Sequence, residues 1–233
     1  MRTRPAALLL AVALLLTCAA TRAADDGGGD KPGAKDEAKQ AEAGWTDLFD
    51  GKSLDGWRQS GYGGEAEATV EAGVLTIPMA DRLSGITFTG GDVPKSNYEV
   101  EVQARRVGGT DFFVGLTFPV GDAHASLILG GWGGAVCGIS SLDGQDANHN
   151  ETRKLAKFKK NQWYTARLRV EPARVQVWLD GQPLIDADLT GKRVDVRPEI
   201  APSQPLGLAT FATTAEVKSV RLRELPADEQ KAE

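Results

Sequence analysis

Hydrophobic and polar side chains alternate with a period of two along most of the chain after residue 44. Tyr98, Val100, Val102 and Ala104 alternate with Glu99, Glu101, Gln103 and Arg105. Tyr164, Ala166, Leu168 and Val170 alternate with Thr165, Arg167 and Arg169, and Val175, Val177 and Leu179 with Gln176, Trp178 and Asp180. Successive side chains of a strand point to opposite faces, so this beat predicts strands with one face buried. No segment of the region carries a long helical period. Turn residues separate the runs at Asp50-Gly51, Gly90-Gly91, Gly108-Gly109, Gly130-Gly131, Gly133-Gly134, Asp143-Gly144 and Asp180-Gly181. About a dozen short strands at this spacing predict an all-β fold, a two-sheet antiparallel sandwich of the jelly-roll kind.

The pattern also predicts a register. Glu171-Pro172-Ala173-Arg174 links two strands as a hairpin. With Val170 opposite Val175, Leu168 faces Val177 and Arg167 faces Trp178. The Arg167 guanidinium then lies on the Trp178 indole, worth ~0.5–1 kcal/mol at an exposed site.

The ends of the chain follow other rules. Arg2 and Arg4 precede an apolar run, Ala6 to Leu16, that is too short to span a bilayer comfortably. Small residues follow, so residues 1–23 read as a secretory leader cut after Ala23, or alternatively after Ala20. Leu15-Leu16-Thr17-Cys18 also loosely resembles a lipobox, which makes Cys18 a possible lipid anchor. Residues 24–43 are rich in Gly, Asp, Lys, Glu and Ala and form a linker. The domain then runs from 44 to 225, with a polar flexible tail at 226–233. The chain is therefore expected to be exported, periplasmic or extracellular, with no membrane span.

Charge narrows the partners. The formal charge of the 233-residue chain is −5, and losing Arg2, Arg4 and Arg22 with the leader takes it to about −8. An acidic surface excludes nucleic acid as the expected partner. Once the leader is removed, Cys137 is the last cysteine, so the domain holds by packing and not by a disulfide. Cys137 sits in an apolar run and reads as a buried small hydrophobe.

Three segments carry a resemblance. Trp45-Thr46-Asp47-Leu48-Phe49-Asp50-Gly51-Lys52-Ser53-Leu54-Asp55-Gly56-Trp57 resembles an opening of the form L-F-[ND]-G-K-x-L-x-G-W. Asn161-Gln162-Trp163-Tyr164 through Val177-Trp178-Leu179-Asp180-Gly181 is similar to a late W-N-x-x-x-I-x-V … L-N-G hairpin. Pro205-Leu206-Gly207-Leu208 through Leu225 resembles the closing G-x-I-G-L-Q … F-R-N-I-x-I-R-x-L pattern. Together they resemble the 3-keto-disaccharide hydrolase domains, which have the concanavalin A-like jelly roll. The resemblance implies attack on glycosides whose sugar is oxidised at C3, where the ketone acidifies the neighbouring C–H and an acid/base pair eliminates the aglycone. The sequence departs from the family in its middle: the N-S-G and E-x-Q-I-x-D strands are replaced by Gly109 to Leu116 and Ser126 to Trp132.

That middle region holds the candidate chemistry. Gly130-Gly131-Trp132-Gly133-Gly134 sets one indole among four glycines, either displayed to stack on a sugar ring or buried in a tight bend. The stretch Ser140 to Arg153 is long for a connection and dense in hydrogen-bonding groups. Asp111, His124, Asp143, Asp146 and Glu151 are the candidate acid/base residues, with Asp111 and His124 a pair if both lie on one concave face. Trp132, His149, Arg153, Arg167 and Trp178 are the candidate substrate-binding residues. Trp45, Trp57 and Trp163 read as structural, the first two pinning the first strand to the core. The spacing of Asp143, Asp146, His149 and Glu151 matches no metal loop, and no cofactor is expected. Two functions are open: an enzyme on glycosidic bonds of 3-keto-glycosides, or a non-catalytic glycan- or protein-binding module of laminin G-like type.

Overall fold

The computed structural model describes residues 43–226. The expected leader, the expected lipidation site, nearly all of the expected linker and nearly all of the expected tail lie outside the described residues. In chain order the strands are β1 (Thr46–Asp47), β2 (Trp57–Gln59), β3 (Thr69–Glu71), β4 (Val74–Ile77) and β5 (Leu83–Phe88). Then come β6 (Tyr98–Gly109), β7 (Val114–Val120), β8 (Ala123–Gly131), β9 (Val136–Ser140) and β10 (Lys154–Leu155). The last are β11 (Tyr164–Glu171), β12 (Arg174–Leu179), β13 (Gln182–Asp188), β14 (Gly207–Phe211) and β15 (Thr213–Glu224). A single 3₁₀ turn, Pro198–Ser203, precedes β14.

The strands form the expected two-sheet antiparallel jelly roll. One sheet has eight strands, ordered β13-β12-β11-β6-β15-β4-β3 with β1 paired to β15. The other has seven, ordered β10-β9-β8-β7-β14-β5-β2. The core lies between them. Tyr98, Val100, Val102 and Ala104 enter it from β6, Leu168 and Val170 from β11, and Leu116 and Phe118 from β7. Cys137 is fully buried in the same core, and burial pushes its thiol pKa up to about 11. Burying a side chain such as Leu or Phe in this way contributes roughly 1.5–3 kcal/mol.

The hairpin register is as the alternation predicts: Val170 pairs with Val175, Leu168 with Val177 and Arg167 with Trp178. The Arg167 guanidinium lies 4.5 Å from the Trp178 ring centre. Trp57 does pin the first strands, packing edge-on against Phe88 and donating its indole N–H to the Leu48 carbonyl at 2.7 Å. Trp45 does not enter the core. It stacks under Arg221 and Arg223 at 4.7 and 4.8 Å, because β1 pairs with β15 outside the run of central strands.

The outer face of the eight-stranded sheet is an ordered array of charges. One row across the strands reads Asp186, Gln176, Arg169, Glu99, Arg223. The next reads Trp178, Arg167, Glu101, Arg221, Asp47. Glu99, with no exposed surface, accepts from Arg169 at 2.9 Å and from Arg223 at 2.8 Å, one on each oxygen. Cross-strand neighbours of opposite sign support one another in a sheet as i,i+4 pairs do in a helix.

Candidate functional site

The open face of the seven-stranded sheet is built differently, from two cross-strand rows. The first is hydroxyl-rich: Ser140 on β9, Ser126 on β8, Thr117 on β7, Gly207 on β14 and Thr87 on β5. Thr117 and Ser126 share a hydrogen bond of 3.0 Å. The second row carries almost no side chain apart from Ile128: Gly138, Ile128, Gly115, Ala209 and Gly85. The small residues let covering groups lie flat on the sheet. A Cβ at Gly115 would sit 2.8 Å from the Phe112 ring, and one at Gly138 would sit 2.9 Å from the Cβ of Ala147. Phe112, Leu83, Ile128 and Ile200 gather here as a second apolar cluster outside the main core, with Phe211 packed against it.

A cavity of about 340 Å³ opens in this cluster. Ser126, Ser140 and Ile128 belong to its floor, with Leu83, Phe112, Ile200 and Phe211 around them. Its walls carry Trp132, Asp111, Arg82, Arg197 and Glu199. Ligand sites are commonly concave, mostly apolar and edged by a few polar groups, and this cavity has that make-up.

The Trp132 turn is held from two sides. Arg106, nearly buried, donates to the carbonyls of Gly130 at 3.1 Å and Gly134 at 3.2 Å. This explains two of the four glycines. A Cβ at Gly130 would collide with that guanidinium, and one at Gly134 would come within 3.0 Å of it. Burial lowers the Arg106 pKa, and the nearby Asp111 charge opposes that loss. Asp111 accepts from the Gly133 amide at 3.1 Å and from its neighbour Phe112 N–H at 2.8 Å. Trp132 itself takes a left-handed φ of +47°, and the residue is 40% exposed at the cavity edge. Non-glycine residues in that region cost energy and persist only where their surroundings fix them.

The structure brings together Asp111 and Trp132 from the expected residues. Asp111 works as a brace for the turn, with each carboxylate oxygen bonded to a backbone amide. Asp146 and His149 reach the cavity only through an intermediary. His149 Nδ1 lies 2.6 Å from one Asp146 oxygen, and Arg197 donates to the other at 3.2 Å. Arg197 then donates to Glu199 at 2.7 Å, and both line the cavity. Arg153 donates to Asn148 at 3.0 Å and stiffens the same loop.

The other expected residues lie elsewhere. His124 does not meet Asp111. In the β7–β8 hairpin it pairs with Pro119, at the far end from Val114, which places the two groups on the order of 17 Å apart along the strand. Burial, helped by Lys95, lowers the His124 pKa. Glu151 is bonded to Lys192, which lowers its carboxyl pKa, and Asp143 accepts from the Arg193 amide at 2.9 Å. Both tie the 141–153 loop to the 189–197 segment. Arg167 and Trp178 are on the outer face of the opposite sheet, because their alternation phase carries them away from the core on β11 and β12.

Sequence reading missed Arg82, Arg197 and Glu199. Arg82 precedes β5 and the other two flank Pro198, so all three sit where the alternating pattern stops and carries no information. Burial pushes the Glu199 carboxyl pKa up. Its own backbone amide, Arg197 and the charge of Arg82 outweigh burial and hold it below the ordinary value. No hydrogen bond or ion pair joins the Arg82 guanidinium to another described side chain. Among the described residues, no group of three or more His, Cys, Asp or Glu side chains is arranged to hold a metal ion.

Residues 44–223 match the family of 3-keto-alpha-glucoside-1,2-lyase-like domains. A search of curated proteins found no match. Among solved structures, a Crh5 transglycosylase in complex with NAG is similar at 13% identity and a TM-score of 0.55, over 79% of this chain and 85% of that one. The carbohydrate recognition domain of Emp46p, as a point mutant, aligns at 14% identity and a TM-score of 0.54, over 78% and 95%. A putative glycosyl hydrolase from Parabacteroides distasonis aligns at 17% identity and a TM-score of 0.50, over 82% and 97%. At these identities the likeness is one of fold.

Proposed function

Because the chain belongs to the 3-keto-alpha-glucoside-1,2-lyase-like domain family, we propose that it is an exported carbohydrate-active domain acting on the glycosidic bond of 3-keto-glycosides in the cavity beside Trp132. One observation carries this reading. A carboxylate held as its anion, Glu199, and a guanidinium with no side-chain hydrogen bond, Arg82, line the same cavity, among Leu83, Phe112, Ile200 and Phe211.

Those two groups suit an elimination. A ketone at C3 acidifies the hydrogen on C2. Glu199 takes that proton, and the electron pair of the broken C–H bond forms an enolate with its negative charge on the C3 oxygen. The Arg82 guanidinium, which has no other side-chain hydrogen bond, stabilises that charge. Collapse of the enolate breaks the C1–O bond, and the departing oxygen takes a proton from water. Trp132 offers a face for the sugar ring, and Ser126 and Ser140 offer hydroxyls to its polar edge. Arg197 acts as a positioning residue, clamping Glu199 from one side while Asp146 holds its own far end.

The test is release of aglycone from a chromogenic 3-keto-α-glucoside by residues 44–226. Glu199→Gln is expected to lower kcat by about 10²–10⁴-fold, the usual contribution of a positioned base. Trp132→Ala is expected to raise KM. No release by the intact domain, or full activity in Glu199→Gln, would overturn the assignment. A second reading, a non-catalytic glycan-binding module, is favoured by the engagement of Asp111 with amides and of Glu199 with Arg197. Glycan retention without turnover would select it.

A further inference from the structure

We infer that the site takes an internal unit of a longer glycan, at least three sugar units in length, and not only a disaccharide. The inference rests on the carbohydrate reading above and deepens it. Two further hollows adjoin the central cavity. One, of about 410 Å³, lies between the 141–146 segment and residues 193–199. The other, of about 440 Å³, lies between the Gly61–Gly64 loop and residues 80–83.

The three hollows share their walls. Arg197 and Glu199 line both the central cavity and the first flank. Arg82, Leu83 and Glu199 line both the central cavity and the second flank. Glu199 therefore borders all three, so a ligand bound against it meets an opening on either side. A cavity closed at one end would accept only a chain terminus. This one has a continuation in both directions.

The chemistry of the flanks also fits sugar. The first is edged by Asp146, Arg193 and Arg197, groups that exchange hydrogen bonds with vicinal hydroxyls. The second is edged by Gly61, Gly63 and Gly64, with no other group within 4 Å of where a Cβ would stand. Their bare backbone leaves room for close approach and offers amides. Tyr62 is fixed beside them by its hydroxyl contact with Ser203. Each hollow exceeds the ~300 Å³ at which ligand pockets begin.

Calorimetric titration with two size series, glucose to maltohexaose and glucose to cellohexaose, tests the inference on residues 44–226. In one of the series affinity should climb by about tenfold or more between the disaccharide and the tetrasaccharide. Ala80→Trp fills the second flank and Asp195→Trp the first. Each should remove part of that gain, and the two together should leave the tetrasaccharide no tighter than the disaccharide, with binding of the shortest sugars unchanged. A disaccharide that binds as tightly as the hexasaccharide, or fillers that leave the dependence on length intact, would overturn the inference while the carbohydrate reading stands. Absence of binding by every member of both series would overturn the inference, and the aglycone-release assay then decides the carbohydrate reading separately.

Discussion

The two sheets of the sandwich turn outward in opposite ways. Each sheet has a tryptophan that meets arginine, but the meeting differs. On the eight-stranded sheet each indole is already covered: Arg167 lies over Trp178, Arg105 over Trp163, and Arg221 and Arg223 over Trp45. Arg223, Arg221 and Arg105 in turn meet Glu99, Glu101 and Glu216. Beside the seven-stranded sheet Arg106, reaching across from β6 of the other sheet, does not cover Trp132 but grips the carbonyls on either side of it. The difference teaches that an aromatic's partner decides its role. A guanidinium on the ring uses the face within the fold, whereas one on the flanking backbone fixes the turn and leaves the face for a ligand.

The largest break in this comparison should come at Glu99. Glu99→Ala leaves Arg169 and Arg223 facing one another on a mostly buried surface, and removing one side of such a network costs about 3 kcal/mol. Denaturant melts should show that loss, with glycan affinity unchanged at temperatures where the variant is folded. Trp132→Ala should do the reverse. Affinity falls about tenfold or more, equivalent to ~1.4 kcal/mol, while stability stays within ~0.5 kcal/mol because the residue is exposed. A melt and a titration on the same sample separate the two effects.

Trp178→Ala sharpens the contrast further. It removes the stacking with Arg167 and some packing, roughly 1 kcal/mol of stability, with no change in titration. A fall in glycan affinity for Trp178→Ala would mean that the outer face also binds. The smallest effect expected is a pH dependence at His124. Its folded pKa is lowered, so the unfolded chain binds the proton more readily. The associated stability is fully present above the unfolded value of about 6.5 and is lost as pH falls through the folded pKa. His124→Gln should flatten that limb of the stability profile and leave glycan binding as it was, since His124 is remote from the cavity.

Much of the sandwich was legible because strand alternation is a local signal. The β11–β12 register followed from four residues around Pro172, whereas the glycines around Trp132 left open whether its indole is displayed or buried. The rest of the site was not legible, for physical reasons. Asp111 and His124 could pair only if one concave face held both, and the β7–β8 hairpin carries them to opposite ends. Arg167 and Trp178 looked like binders because the pattern assigns a residue to the outward face of its strand without saying which sheet faces the hollow. Arg197 and Glu199 lie in an irregular crossing segment, where position is set by ties such as Asp146 to Arg197 that join residues 51 apart in sequence. Period and turn chemistry report on neighbours in the chain, and these contacts are not between neighbours.

Cys137 has a practical corollary. It is the one sulfhydryl between residues 43 and 226, sealed in the interior and with little thiolate at neutral pH. Maleimide and iodoacetamide reagents will pass it by in the native domain. A cysteine introduced on the rim of the groove, for instance at Asp81, would then be the only reactive position, and a dye attached there would brighten or dim as a saccharide enters and leaves.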